Sequence, residues 1–130
     1  MINGEMAVED LPAAWNESMS DLLGLTPAND SEGCLQDIHW YSGAWGYFPT
    51  YTLGAMTAAQ LFATAKRQIP GLLDQIAKGD FSALMAFLRR EVHSRGSSLS
   101  GDAILKAASG SSLDAEVFKA HLKARYLPEG

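Results

Sequence analysis

The sequence predicts an all-α protein, a compact bundle of about five to six helices with one loop rich in glycine and aromatic residues. Apolar residues recur at steps of three and four along most of the chain, which is the period of amphipathic helices. No stretch alternates β-branched and polar residues, so little or no sheet is expected. With 130 residues, 47% of them apolar, the chain can bury one hydrophobic core. We therefore expect a single helical domain over residues 1–130.

The first predicted helix runs from Leu11 to Leu23 and carries one apolar stripe. The members of this stripe fall at positions i, i+4, i+8, i+11 and i+12: Leu11, Trp15, Met19, Leu22 and Leu23. Asp10 is expected to cap its N-terminus, and Pro12 lies in its first turn, where proline is tolerated. Gly24 and Pro27 are expected to end it.

Five further helices are predicted from the same period, with glycines and prolines between them. They cover residues 51–67, 71–78, 81–92, 102–108 and 113–126. The helix over 51–67 is rich in apolar residues and is expected to be largely buried, with Pro49 just before it. Asp80 and Asp102 stand at the starts of two of these helices, so both are expected to act as caps.

Charge and cysteine content exclude several classes of function. Ten Lys and Arg against fifteen Asp and Glu give a net charge of −5, which does not suit binding to nucleic acid or to an anionic membrane. The only cysteine, Cys34, cannot form an internal disulfide. No apolar run approaches the length of a membrane span, and residues 1–10 do not resemble a signal peptide. We expect a cytoplasmic protein.

The segment Trp40 to Tyr51 is the least ordinary part of the sequence. It holds six of the twelve aromatic residues: Trp40, Tyr41, Trp45, Tyr47, Phe48 and Tyr51. Gly43, Gly46 and Pro49 prevent a regular helix across it. Two interpretations remain open: a loop over 40–50 that forms the wall of a ligand cleft, or a loop folded onto the core with its rings buried.

Three polar residues precede this aromatic segment. In a helical turn Gln36 and His39 would share a face, whereas Asp37, two positions from His39, would not. Such residues form either an internal hydrogen-bond network or part of a site. Cys34 and His39 lack a third residue that would complete a nucleophile and its base. The three histidines lie in different elements without paired ligand spacing, so no metal site is predicted in this chain.

The residues Gly33-x-x-Gln36-Asp37-x-His39-Trp40 resemble the signature of the carboxypeptidase Taq family of zinc metallocarboxypeptidases. Flanking segments are similar to the family as well, in the same order along nearly the whole chain. They are Asp10-Leu11-Pro12-x-x-Trp15-Asn16, Gly46-Tyr47-Phe48-Pro49-Thr50-Tyr51-x-Leu53-Gly54, Leu88-x-x-x-Val92-His93-x-x-Gly96 and Leu122-x-x-x-Tyr126. The resemblance implies the all-helical fold of these peptidases and their removal of C-terminal amino acids from peptides.

The resemblance covers only the carboxy-terminal quarter of such an enzyme. The family's zinc ligands, on a His-Glu-x-x-His helix and a downstream Glu, have no counterpart here. Zinc is therefore the cofactor that the resemblance implies for the full-length enzyme, with no cofactor in this chain. Without a metal to activate water, the chain alone is expected to be inactive.

The resemblance also implies roles for individual residues. His39 and one tyrosine, Tyr47 or Tyr51, face the zinc across the cleft, and the tyrosine stabilises the oxyanion. Tyr51 is favoured because it begins a helix. The remaining signature residues orient His39 or line the substrate-binding wall: Gln36, Asp37 and Trp40.

The expected partners are a peptide substrate in the intact enzyme and an upstream zinc-bearing portion. Self-association is also expected, through the apolar faces of residues 11–23 and 51–62. Two alternatives to the peptidase fragment are kept. One is a stand-alone, non-catalytic helical interaction module, which would expose the same apolar faces. The other is a domain that binds a small molecule with its aromatic loop.

Overall fold

The structure is a computed structural model that describes Met1 and residues 3–127. Within these residues the regular structure is entirely helical, so the predicted all-α class is confirmed. The α-helices are α1 (Leu11–Leu23), α2 (Pro49–Gln68), α3 (Leu72–Ala77), α4 (Ser82–Glu91), α5 (Gly101–Ser109) and α6 (Ala115–Tyr126). Short 3-10 turns cover Val8–Asp10 and His93–Arg95. No helix in the described part of the chain is long and apolar enough to cross a membrane.

The chain divides into two compact units, Met1–Phe48 and Pro49–Gly130. The first unit contains α1 followed by a long series of turns. As predicted, α1 ends at Gly24, which adopts a left-handed φ of 67° and donates its N–H to Ser20 O at 2.9 Å. Asp10 occupies the N-cap position of α1, as expected, but its side chain makes no capping hydrogen bond to that helix. Its carboxylate accepts the backbone N–H of Ala7 at 3.3 Å, because Asp10 closes the preceding 3-10 turn and makes no side-chain cap to α1.

The second unit holds a hydrophobic core between α2, α3 and α4. Ala65, Leu72 and Phe87 are its buried centre. Partly buried apolar side chains pack around them: Phe62, Ile69, Ile76, Leu84 and Leu88. Phe87 is 1% exposed, so the apolar stripe predicted for its helix does face this core.

The ends of the second unit's helices lie within two residues of the predicted positions. Helix α2 begins at Pro49 rather than after it, because proline suits the first turn of a helix. Asp102 does not cap α5. Ser100 does so, since its hydroxyl oxygen accepts the N–H of Ala103 at 3.3 Å. Asp80 acts at the start of α4 as expected, although Phe81 occupies the N-cap position. Its hydrogen bonds with the side chain and then the backbone N–H of Ser82, the latter at 2.9 Å, lower the pKa of Asp80.

A buried amide joins α2 to the segment between α5 and α6. Gln60 is 3% exposed. Its Nε2 reaches the hydroxyls of Ser109 and Ser111 at 3.0 and 3.1 Å, and the carbonyls of Ser111 and Ser112 at 3.3 and 3.1 Å. Its Oε1 accepts the N–H of Asp114 at 2.9 Å, one residue before α6. Gln60 therefore fixes where α6 begins.

Candidate functional site

The segment that resembles the peptidase signature is a chain of turns in the first unit. Residues 31–36 and 38–43 form turns and bends, with no regular helix. Gly43 and Gly46 adopt φ values of 77° and 75°, a conformation that other residues rarely take. Gly33 is buried, and a Cβ there would lie 3.3 Å from Pro27 Cβ. A larger residue at this signature position would therefore be crowded against Pro27.

Asp37 and His39 form the central polar pair of this segment. Asp37 Oδ1 lies 2.6 Å from His39 Nδ1 and accepts the backbone N–H of His39 at 2.8 Å. These contacts, the backbone hydrogen bond first, lower the pKa of Asp37. The expectation that Asp37 would not share a side with His39 is wrong, because the backbone turns here instead of continuing as a helix. The carboxylate favours the tautomer with its proton on Nδ1, so Nε2 can accept a hydrogen bond.

Two aromatic rings lie against the imidazole of His39. The ring of Tyr47 stacks on it, with centroids 5.5 Å apart and an interplanar angle of 18°. The ring of Phe48 lies 5.0 Å away, tilted by 41°. Ser42 Oγ donates to the His39 carbonyl at 2.9 Å, which fixes the backbone beside the ring. His39 is therefore held by Asp37 at its ring nitrogen, by two neighbouring aromatic rings and by Ser42 at its backbone carbonyl.

The three tryptophans of the chain form a second aromatic group in the same unit. Trp40 meets Trp15 of α1 edge to face, with centroids 5.6 Å apart, and stacks on Trp45 at 5.6 Å. Trp40, predicted to line the substrate wall, is thus half-buried between two other rings. The signature loop is tied to α1 through this contact.

Most rings of the aromatic segment are exposed. Tyr41 is 65% exposed, Trp45 56% and Tyr51 54%. A loop that buried its rings in the core would not leave them so accessible, and that interpretation is wrong. A cleft wall formed by residues 40–50 stays a prediction.

The remaining candidate residues are Gln36, Tyr51 and Cys34. Gln36 is exposed, and its side chain makes no hydrogen bond to His39 or to any other described residue. Tyr51 belongs to the second unit, as the third residue of α2. Cys34 is 6% exposed and unbonded to another cysteine, so it suits packing better than nucleophilic chemistry.

Sequence reasoning missed Phe48 and Ser42 as neighbours of His39. Both lie within nine positions of His39 in the sequence. Gly43 and Gly46 could have indicated these contacts, since they let the chain turn back onto the imidazole.

The described residues do not fit a metal site. No group of three or more His, Cys, Asp or Glu among them lies close enough together to hold an ion. The zinc that the family resemblance implies would thus need ligands other than the described residues of this chain.

Comparison with known proteins gives one consistent result. The family model for carboxypeptidase Taq (M32) metallopeptidases matches residues 1–126. The chain is 44% identical over 127 residues to thermostable carboxypeptidase 1 of Pyrococcus furiosus, which covers 98% of this chain and 26% of that relative. It is 37% identical over 126 residues to thermostable carboxypeptidase 1 of Thermus thermophilus, covering 97% and 25%. The chain therefore spans about a quarter of the length of these relatives.

Solved structures agree with the sequence matches. Trypanosoma cruzi metallocarboxypeptidase 1 superimposes with a TM-score of 0.93 at 43% identity, over 98% of this chain and 27% of that one. The Pyrococcus furiosus carboxypeptidase gives a TM-score of 0.91 at 44% identity, over 95% and 25%. The all-helical fold described above is thus the one found in the matching quarter of these enzymes.

Proposed function

The chain belongs to the carboxypeptidase Taq (M32) metallopeptidase family, and from that premise we propose that it forms part of the substrate cleft of a zinc metallocarboxypeptidase. The proposed reaction is the release of C-terminal amino acids from peptides. The metal is held by a portion of the enzyme outside these 130 residues, which is the partner that this chain needs. The proposed location is the cytoplasm, in keeping with a lone, buried thiol.

The observation that carries this proposal is the Asp37–His39 pair with its flanking rings. A carboxylate on Nδ1 fixes the orientation of the imidazole. Nε2 then meets the peptide backbone of the substrate, accepting an N–H when neutral and donating to a carbonyl when protonated. The neighbouring rings of Tyr47 and Phe48 restrict rotation of the imidazole, and this preorganisation is what makes such a contact productive.

We assign the oxyanion contact to a phenol. A hydroxyl that donates to the developing negative charge stabilises the transition state more than the bound substrate. Tyr51 is the better candidate, since α2 holds its backbone from the third helical residue. The ring of Tyr47 stacks on His39 instead. Gln36 and Trp40 are proposed to close the wall, with Trp40 held by its two neighbouring tryptophans.

The test is a chimaera in which these 130 residues replace the matching quarter of the Pyrococcus furiosus relative. We expect the chimaera to release C-terminal residues from a blocked dipeptide, and the 130-residue chain alone to release none with or without zinc. His39→Gln should lower kcat of the chimaera by about 10²-fold. His93→Gln, which replaces an exposed histidine of the 93–95 turn, is the matched control and should leave kcat unchanged. Activity of the chain alone, or equal kcat for both variants, would contradict the proposal.

A second candidate is a non-catalytic helical interaction module, favoured by the exposed apolar residues of α1. It differs from the first in a measurable way. A module that has lost its catalytic role would give a chimaera that folds and binds zinc but hydrolyses nothing. Its His39→Gln variant would bind partners as well as the parent chain does.

A further inference from the structure

Helix α2 carries the proposed oxyanion donor near its N-terminus and its buried residues in the other half. Tyr51 is the third residue of the helix. None of residues 49–58 is buried. The buried residues of α2 all follow: Ala59, Gln60, Thr64 and Ala65. Contacts made further along the helix therefore set the direction of its N-terminal half.

Two of these residues tie α2 to its neighbours in different ways. Ala65 is 0% exposed and lies in the core that α2 shares with α3 and α4. Gln60 bonds to the segment between α5 and α6. Its Nε2 has four oxygens of residues 109–112 within 3.3 Å, and its Oε1 accepts the N–H of Asp114. Within the described part of the chain, no other side chain of residues 52–68 hydrogen-bonds to a different helix or loop.

Apolar packing between α2 and α6 leaves space. A cleft of about 330 Å³ lies where the two helices meet, lined by Ala63, Lys66, Val117, Ala120, His121 and Ala124. Side chains that line a void lack contacts on one side, so they hold two helices at a fixed angle less firmly than a filled interface does. The hydrogen bonds of Gln60 are thus a main constraint on the angle between α2 and α6.

Distances along α2 enlarge a small shift at Gln60 into a larger one at Tyr51. With a rise of about 1.5 Å per residue, Gln60 lies about 7.5 Å and Tyr51 about 21 Å from Ala65 along the helix axis. A sideways shift at Gln60 about Ala65 is therefore multiplied about 2.8-fold at Tyr51. Replacing hydrogen bonds of about 3 Å by van der Waals contacts of about 3.5–4 Å shifts Gln60 by about 0.5–1 Å. Tyr51 would then move by about 1.5–3 Å.

We propose that Gln60 is a positioning residue for the carboxypeptidase reaction, because its hydrogen bonds to residues 109–114 set the direction of α2 and so hold the phenol of Tyr51 where the oxyanion develops. Gln60 is 3% exposed, so it acts through Tyr51 and not on the substrate. A misplacement of about 1 Å in a catalytic group costs about 10²-fold in rate. This inference rests on the proposed function, in which Tyr51 is the oxyanion donor.

The variants for the test come from the same helix. Gln60→Met keeps the length of the side chain and removes every hydrogen bond to residues 109–114. Thr64→Val is the matched control. Thr64 is 2% exposed, and its Oγ1 accepts Nη2 of Arg67 at 2.9 Å, a hydrogen bond within α2. Both variants remove a buried polar group, but only Gln60→Met breaks the connection to another element.

The first measurement is a distance and needs no hydrolysis. Nitroxide labels are placed at Thr52→Cys in α2 and Leu73→Cys in α3, both exposed positions, in the 130-residue chain with Cys34→Ala. We expect Gln60→Met to shift or broaden the distance between the labels by about 2 Å in pulsed electron paramagnetic resonance. Thr64→Val should leave the distance unchanged. An unchanged distance in Gln60→Met would overturn the proposal.

The second measurement is a double-mutant cycle in the chimaera. Gln60→Met should lower kcat by about ten- to 10²-fold when Tyr51 is present, with a smaller change in KM. In the Tyr51→Phe background the same substitution should lower kcat by less than about twofold, because the group that it misplaces is already absent. Thr64→Val should leave kcat unchanged in both backgrounds. Equal fold losses from Gln60→Met in both backgrounds would overturn the proposal, since Gln60 would then act on the fold alone.

A milder variant covers the case in which Gln60→Met does not fold. Ser111→Ala removes one hydroxyl acceptor of Nε2 and leaves the amide and its other partners in place. Its kcat should fall by about two- to fivefold, again only when Tyr51 is present. An inactive chimaera together with the distance shift in Gln60→Met contradicts the proposed function alone. An active chimaera with an unchanged distance contradicts only this inference.

Discussion

A single oxygen of Asp37 contacts His39 twice: Oδ1 accepts the backbone N–H at 2.8 Å and lies 2.6 Å from the ring Nδ1. The same carboxylate therefore positions both the backbone and the imidazole ring of His39. Since both contacts favour the charged form, Asp37 stays ionised below the pH at which an ordinary aspartate is protonated.

The first prediction concerns this carboxyl. We expect NMR titration to give Asp37 a pKa below the ordinary 3.8. Because the backbone N–H of His39 is the largest cause, His39→Gln should raise the pKa of Asp37 only part of the way back. A pKa of Asp37 at or above its ordinary value in the unmodified chain would contradict the geometry of the pair.

The second prediction separates the two tyrosines in the chimaera. Tyr51→Phe removes the proposed oxyanion donor, so kcat should fall by about 10²- to 10³-fold with little change in KM. Tyr47→Phe keeps the ring that stacks on His39, so its kcat should fall by less than about tenfold. Steady-state kinetics on a blocked dipeptide measures both. The assignment fails if the two variants have the same kcat.

The third prediction concerns the buried amide of Gln60. Gln60→Glu would set carboxylate oxygens against the carbonyls of Ser111 and Ser112, which now accept N–H from Nε2. The free energy of unfolding should fall by at least about 1–3 kcal/mol, measured by urea denaturation. Gln68→Glu makes the same change at the exposed end of α2 and should cost less than about 1 kcal/mol. Equal losses would mean that the amide network does not matter.

The fourth prediction is a pH dependence at the start of α4. The pKa of Asp80 is lowered by its hydrogen bond to Ser82, so its charged form stabilises the fold above the ordinary pKa of 3.8. That stabilisation is lost as the pH falls through the lowered pKa. Asp80→Asn should therefore lower Tm by a few degrees at about pH 7. This difference in Tm between the variant and the parent chain should become smaller as the pH is lowered to about 3. Asp21→Asn, in the last turn of α1, is the control for the change in net charge. A constant difference across this range would exclude the charged cap.

The helices could be predicted because their signals are local. Apolar periodicity placed α1 at Leu11–Leu23, and Gly24 ended it, as the structure confirms. Caps were less predictable. Ser100 and Asp102 both suit a cap by residue type, and only the dihedral angles of the backbone decide which of them stands outside α5.

The polar contacts were harder to predict than the helices. The Asp37–His39 pair was missed because helical geometry was assumed across residues that form turns. The bonds of Gln60 join residues 49 to 54 positions apart, and no local pattern marks such a distant partner. Composition left two alternatives for the aromatic segment, exposed rings or rings buried in the core. The structure shows exposed rings.

Asp37, Ser42, Tyr47 and Phe48 contact His39 and lie within nine positions of it in the sequence. Closing so short a loop costs little chain entropy, and contacts of low order form early during folding. The neighbourhood of the imidazole can thus assemble before the helices of the second unit have packed. Evolution or engineering could move this stretch between helical scaffolds only together with α1, since the contact of Trp40 with Trp15 joins the two.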